Sequence, residues 1–94
     1  MQTQNQMIEI RTERYWNLFD LANLFSVELT SLGAEQYEIN LAYLIGVEVV
    51  PVKITEKFSM QETEDIIRLI MATKNPRPIV KRGWFDYWLA SRYN

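Results

Sequence analysis

Apolar residues crowd the stretch Tyr15–Leu32, YWNLFDLANLFSVELTSL, where eleven of eighteen positions are apolar. Their three- and four-residue spacing places them along one side of a helix. Tyr15, Leu18, Phe19, Leu21, Ala22, Phe25, Leu29 and Leu32 share one arc, and Ser26 is the one polar residue inside it. Thr12 suits an N-cap, Glu13 suits the positive end of the helix dipole, and Gly33 suits the left-handed position after the last turn. The pattern predicts a helix over about 13–32, central to the domain. Trp16, Leu24 and Val27 fall outside the arc. Packing on more than one side accounts for all three. Alternatively, Trp16 and Val27, close in angle, form an exposed patch for a partner.

The rest of the chain is patterned more briefly. Met7–Arg11 alternates with β-branched residues and predicts a short strand. Residues 34–45 admit two readings. As a helix, Ala34, Tyr37, Leu41, Leu44 and Ile45 share a face. As a strand, Tyr37, Ile39, Leu41, Tyr43 and Ile45 alternate with polar or small residues. The helix is preferred, because a hairpin into the next segment would put Ile45 in a tight turn at Ile45-Gly46, and β-branched residues fit positive φ poorly. Val47–Ile54 reads as a strand; Pro51 cannot donate to a ladder, so the strand lies at an edge or is bulged there. An edge is where another chain can pair. Ser59 and Glu62 form a capping box ahead of a helix running to about Lys74, with Met60, Ile66, Ile67, Ile70 and Met71 on its buried face and Glu64–Arg68 as an i,i+4 pair. Asn75-Pro76 ends it. Ile79-Val80 adds a short strand, and a last helix is expected from Trp84 to Tyr93.

Together these elements predict an α+β fold. Three or four helices pack on a small two- or three-stranded sheet, in one compact domain over residues 1–94, with residues 1–6 frayed. Composition is that of an ordinary globular chain, 48% apolar and 23% charged, and 94 residues suffice for one modest core. The chain has no cysteine and no histidine. A disulfide framework is excluded, a zinc site would have carboxylates alone for ligands, and triad or Cys–His chemistry lacks its base. No apolar run has the length of a membrane span and the N-terminus is polar, so a cytoplasmic protein is expected without membrane partners. No motif calls for a cofactor or metal, and no catalytic constellation is visible. Glu62, Glu64 and Asp65 are accounted for by capping and dipole complementarity, and Glu35 and Glu38 as a solvated face.

Charge changes the picture at one end. Residues 1–71 carry five Lys/Arg against eleven Asp/Glu, a net −6, whereas residues 72–94 carry five against one, a net +4. The cations there are interleaved with aromatics. Arg77, Lys81, Arg82, Trp84, Tyr87 and Arg92 are therefore the candidate partner-binding residues. Trp, Tyr and Arg are common hot-spot residues in protein interfaces. The same set could hold phosphate and stack bases. The expectation is a non-enzymatic protein-binding domain: an inhibitor, immunity-type protein or adaptor of bacterial or phage origin. Its partner would use the basic C-terminal end or the 47–54 edge strand, and a homodimer through that strand is a further form of the same idea. The alternative is a nucleic-acid-binding regulator using the basic aromatic segment.

Overall fold

The computed structural model describes residues 6–74 and 77–81. Among these residues the chain forms six strands and one helix: β1 (Met7–Arg11), β2 (Trp16–Asp20), β3 (Leu24–Gly33), β4 (Gln36–Ile45), β5 (Glu48–Ser59), α1 (Met60–Thr73) and β6 (Ile79–Lys81). β1 and β2 make a two-stranded antiparallel sheet; the other four make a sheet in the order β5-β4-β3-β6. β3, β4 and β5 are an antiparallel meander, and β6 returns beside β3 in parallel after α1. The expected α+β arrangement of three or four helices on a small sheet is therefore wrong: the protein is mostly β. The last predicted helix, 84–93, lies outside the described residues.

The central helix over 13–32 is replaced by β2, a turn and β3. Asp20 Oδ1 accepts from the Ala22 backbone N–H at 2.9 Å, Asn23 takes a positive φ of 68°, and the Leu24 N–H donates to the Leu21 carbonyl at 2.9 Å. A side chain that captures its own backbone two residues on is a turn former, and it breaks the run that a helix would need. Aromatic and β-branched residues on either side then favour pleated backbone. The two-residue period is hidden because β3 is bulged. Leu24 pairs with Tyr43, but Ser26 pairs with Ala42, leaving Phe25 as the extra residue. The bulge lets Leu24, Val27 and Leu29 all face the core at spacings of three and two, a pattern that matches neither plain template.

Residues 34–45 form a turn and β4, not the preferred helix. The β4–β5 turn is at Gly46-Val47, between the paired residues Ile45 and Glu48. Gly46 has φ 65° and Val47 is not in the positive region, so no β-branched residue is asked to take the unfavourable conformation. The turn lies one residue beyond the one that made a hairpin look costly. At the other end of β4, Ala34 and Glu35 both take positive φ, 50° and 57°, the type I′ pattern without its preferred residues. Gly33, expected after a helix, sits at φ 85° beside this turn.

α1 matches its sequence signature. The Ser59 hydroxyl accepts from the Glu62 N–H at 3.1 Å, while the Ser59 N–H donates to the Glu62 carboxylate at 2.9 Å. Glu64 meets Arg68 at 3.0 Å, and Lys74 caps the helix just before Pro76. Strand β1 and the short β6 also fall where the pattern put them.

Core residues come from every element but β2 and β6. Tyr37, Ile39 and Leu41 of β4 share one sheet face with Val27 and Leu29 of β3 and Ile54 and Phe58 of β5, following the strand pairing. Ile66, Ile67 and Ile70 of α1 and Ile8 and Ile10 of β1 complete the cluster. The Tyr15 ring meets Phe58 edge-on at 5.8 Å, so the β1–β2 hairpin covers the same face as the helix. Phe25, expected on the buried side, is 37% exposed because the bulge turns it away.

Candidate interaction surface

The sheet has one face under α1 and the first hairpin and one face open among the described residues. Ser26, Glu28, Asn40, Ala42, Pro51, Lys53, Ile79 and Lys81 belong to this second face by register; Ser26 is buried and Asn40 and Ala42 are half-buried, so it is open mainly toward its ends and edges. Its half nearest the β3–β4 turn is polar. Lys53 pairs with Glu38 at 3.4 Å, and Lys81 lies opposite Glu28. Its other half is apolar and runs onto the distal part of the β4–β5 hairpin.

That distal arm is LIGVEVVPV, residues 44–52. Leu44, Ile45, Val47, Val49, Val50 and Val52 are all exposed, with Val47 at 97%. Register places Leu44 opposite Val49 on the open face and Ile45 opposite Glu48 on the other. Both faces of the arm are therefore apolar, a property of strands that are buried on two sides. α1 and β1 stop short of it, so the burial seen in the other half of the same strands ends at Leu41 and Ile54. At the arm's root, Phe25, Leu44, Pro78 and Ile79 line an open depression of about 360 Å³, and Arg77 stands on its rim. Glu48 is the one charged residue in the arm.

β5 is an outer strand of the sheet among the described residues, as the position of Pro51 suggested, and Pro51 pairs in regular register with Ala42. The bulged part of β5 lies elsewhere, at 55–57, where Arg14 reaches the Glu56 carboxylate at 3.2 Å.

Tyr43 marks the boundary between covered and open strand. Its hydroxyl donates to the Asp20 carbonyl at 2.9 Å, tying β4 to the β2–β3 turn. Partial burial, followed by the nearby Asp20 carboxylate, holds its hydroxyl above the ordinary tyrosine range.

Of the residues singled out from sequence, Arg77 and Lys81 are exposed and border the apolar surface just described, Arg77 at the depression and Lys81 on the open face. Arg77 and Lys81 thus lie on the same sheet face as Leu44 and Val49, with β3 and β4 standing between β6 and the 47–54 strand. Arg82, Trp84, Tyr87 and Arg92 lie outside the described residues. Trp16 and Val27 do not form a shared patch: Trp16 is 61% exposed, whereas Val27 is wholly buried in the core. They were joined by helical angle, and in strands their directions are unrelated. Trp16 instead donates its indole N–H to Glu9 across the β1–β2 hairpin, with exposed Leu18 and Met7 in the same hairpin.

Val49 and Val50 belong to the 47–54 strand expected to meet a partner, whereas Phe25, Leu44, Ile45 and Ile79 are surface residues that the sequence pattern does not single out. The signal was present: from Leu41 to Val52 apolar residues occupy both strand parities, which one buried face cannot use. Comparisons with family models, curated proteins and solved structures return no match. Among the described residues no group of three or more acidic side chains is placed to hold a metal ion, and no helix is long and apolar enough to cross a membrane.

Proposed function

We propose that the chain is a non-enzymatic protein-binding domain whose contact surface is the apolar end of the β4–β5 hairpin together with the adjoining open sheet face. Inhibitors, immunity-type proteins and adaptors act through surfaces of this kind. The observation behind this reading is the contiguous set Leu44, Ile45, Val47, Val49, Val50 and Val52, all exposed at one end of the molecule. Monomers seldom leave so much aliphatic surface in one place unless something covers it. The border supports the same reading: Arg77 stands at the edge of the apolar depression and Lys81 on the same sheet face, polar groups beside an apolar centre as in a protein interface. A nucleic-acid surface would need cations gathered on one face, and here Lys53 is paired with Glu38 and Lys81 faces Glu28.

The test is capture of a protein partner from nuclease-treated extract of the source cell. Wild type is compared with the double variant Val47→Glu, Val49→Lys. Both positions are exposed, so the melting temperature should hold while capture is lost. Capture undiminished in the variant would refute this surface.

A further inference from the structure

We infer that the occupant of this surface is a second copy of the chain, the two arms packing across a two-fold axis beside Leu44 and Val49. The inference rests on the protein-binding reading above and names its partner.

Composition separates the choices. Transient interfaces are anchored by Trp, Tyr and Arg. The centre here is Leu, Ile and Val, with Phe25 at one end, the more apolar composition that homodimer interfaces have. Most soluble oligomers join identical chains, most often about a two-fold axis.

Area agrees. The bare side chains of the patch expose on the order of 600 Å², the upper end of what monomers show. Two copies joined through it remove on the order of 1,200 Å², the lower bound of a stable interface.

Shape gives the orientation. The patch has a convex end and a concave end. Val47, at 97% exposure beside Glu48, forms the first, and the depression lined by Phe25, Leu44 and Ile79 with Arg77 on its rim forms the second. Leu44 and Val49 lie between them, paired on the open face. A two-fold axis there sends each arm tip into the other copy's depression. Because both faces of the arm are apolar, an interlocked pair buries more of it than a flat partner would.

Pro51 limits the assembly to two. β5 is an outer strand whose edge could otherwise recruit strand after strand, and Pro51 removes a donor in its middle. Association therefore runs through the faces and closes.

Sedimentation of the full chain over about 1–300 µM should show a monomer–dimer equilibrium in the micromolar range. Val47→Glu should weaken it on the order of 100-fold by placing an unpaired carboxylate in the contact. The chain has no cysteine, so Val49→Cys, near the axis, should oxidise to an intermolecular disulfide. Thr30→Cys, exposed at the far end of the sheet, should not. A wild type monomeric throughout the range overturns the inference, whether the face is then filled by the chain's own residues or by a different protein. A dimer indifferent to Val47→Glu also overturns it. If the monomer still captures another protein through Val47 and Val49, the protein-binding reading stands and only the second copy is wrong. If Val47→Glu alters neither dimer nor capture, both fall.

Discussion

The β4–β5 hairpin has two halves made of the same kinds of residue with opposite fates. At one end Tyr37, Ile39, Leu41, Ile54 and Phe58 lie at 2% exposure or less; at the other, Leu44, Ile45, Val47, Val49, Val50 and Val52 face solvent. Leu and Ile occur in both halves, so aliphatic character by itself does not separate them. The difference is what the rest of the chain can reach. α1 begins directly at the end of β5 and lies over the first half together with β1, and neither extends to the second. An aliphatic strand thus states a need for cover without saying whether its own chain supplies it.

The comparison predicts a steep contrast in stability. Phe58→Ala should cost about 3–5 kcal/mol in chemical denaturation, as for a fully buried aromatic. Val49→Ala, measured at concentrations where the chain is monomeric, should cost under about 0.5 kcal/mol. Equal losses at the two sites would mean that the arm is packed as well as the core.

Next in size is the arm's turn. Gly46→Ala should cost about 1–2 kcal/mol, because alanine resists the left-handed φ of 65°. No side-chain clash contributes, since a Cβ there would meet nothing within 4 Å. A neutral result would show that the arm's turn relaxes independently of the sheet below it.

Tyr43 probes the boundary itself. Tyr43→Phe should cost about 1 kcal/mol at neutral pH through loss of the bond to the Asp20 carbonyl. Its hydroxyl ionises at higher pH in the folded protein than in the unfolded chain, and so does that of Tyr37, which burial and then Glu35 push up. Both contributions are fully present below the unfolded value near 10 and are lost as pH rises through the higher folded values. Circular dichroism followed alongside tyrosinate absorbance should show the wild type losing stability in that alkaline window, and Tyr43→Phe losing less of its own. A flat profile above that pH would place Tyr43 in free solvent.

The smallest effect is a gain. Ala34→Asn with Glu35→Gly supplies the residues preferred at two successive positive φ values and should stabilise by about 0.5–1 kcal/mol. A destabilised variant would mean that Ala34 or Glu35 makes a contact worth more than its backbone strain.

The failures and successes of the sequence reading have local causes. α1 was legible down to its capping box because Ser59, Glu62 and the Ile66–Ile67–Ile70 face are all set by residues within one helix, where neighbours in sequence are neighbours in space. β1 and the outer position of β5 were legible for the same reason: alternation and a proline act locally. The central element was misread because Tyr15–Leu32 satisfies a helical arc by coincidence. Its decisive features, the Asp20 turn and the Phe25 bulge, are single residues that shift the period without changing the count of apolar positions.

By itself, then, the sequence determined the α1 helix and its ends, the β1 strand, the Pro51 edge, the absence of thiol and imidazole chemistry, and the excess of aliphatic residues between Leu41 and Val52. Tertiary structure alone decided that Leu24 and Val27 face inward while Phe25 and Trp16 do not. It also decided that Arg77 stands at the root of the 44–52 arm beside Leu44, and that this arm projects beyond its helix. Strand pairing joins residues far apart in the chain, and a single bulge reverses every side chain after it. Those outcomes depend on which strands meet and in what register, and no local window of residues contains that information.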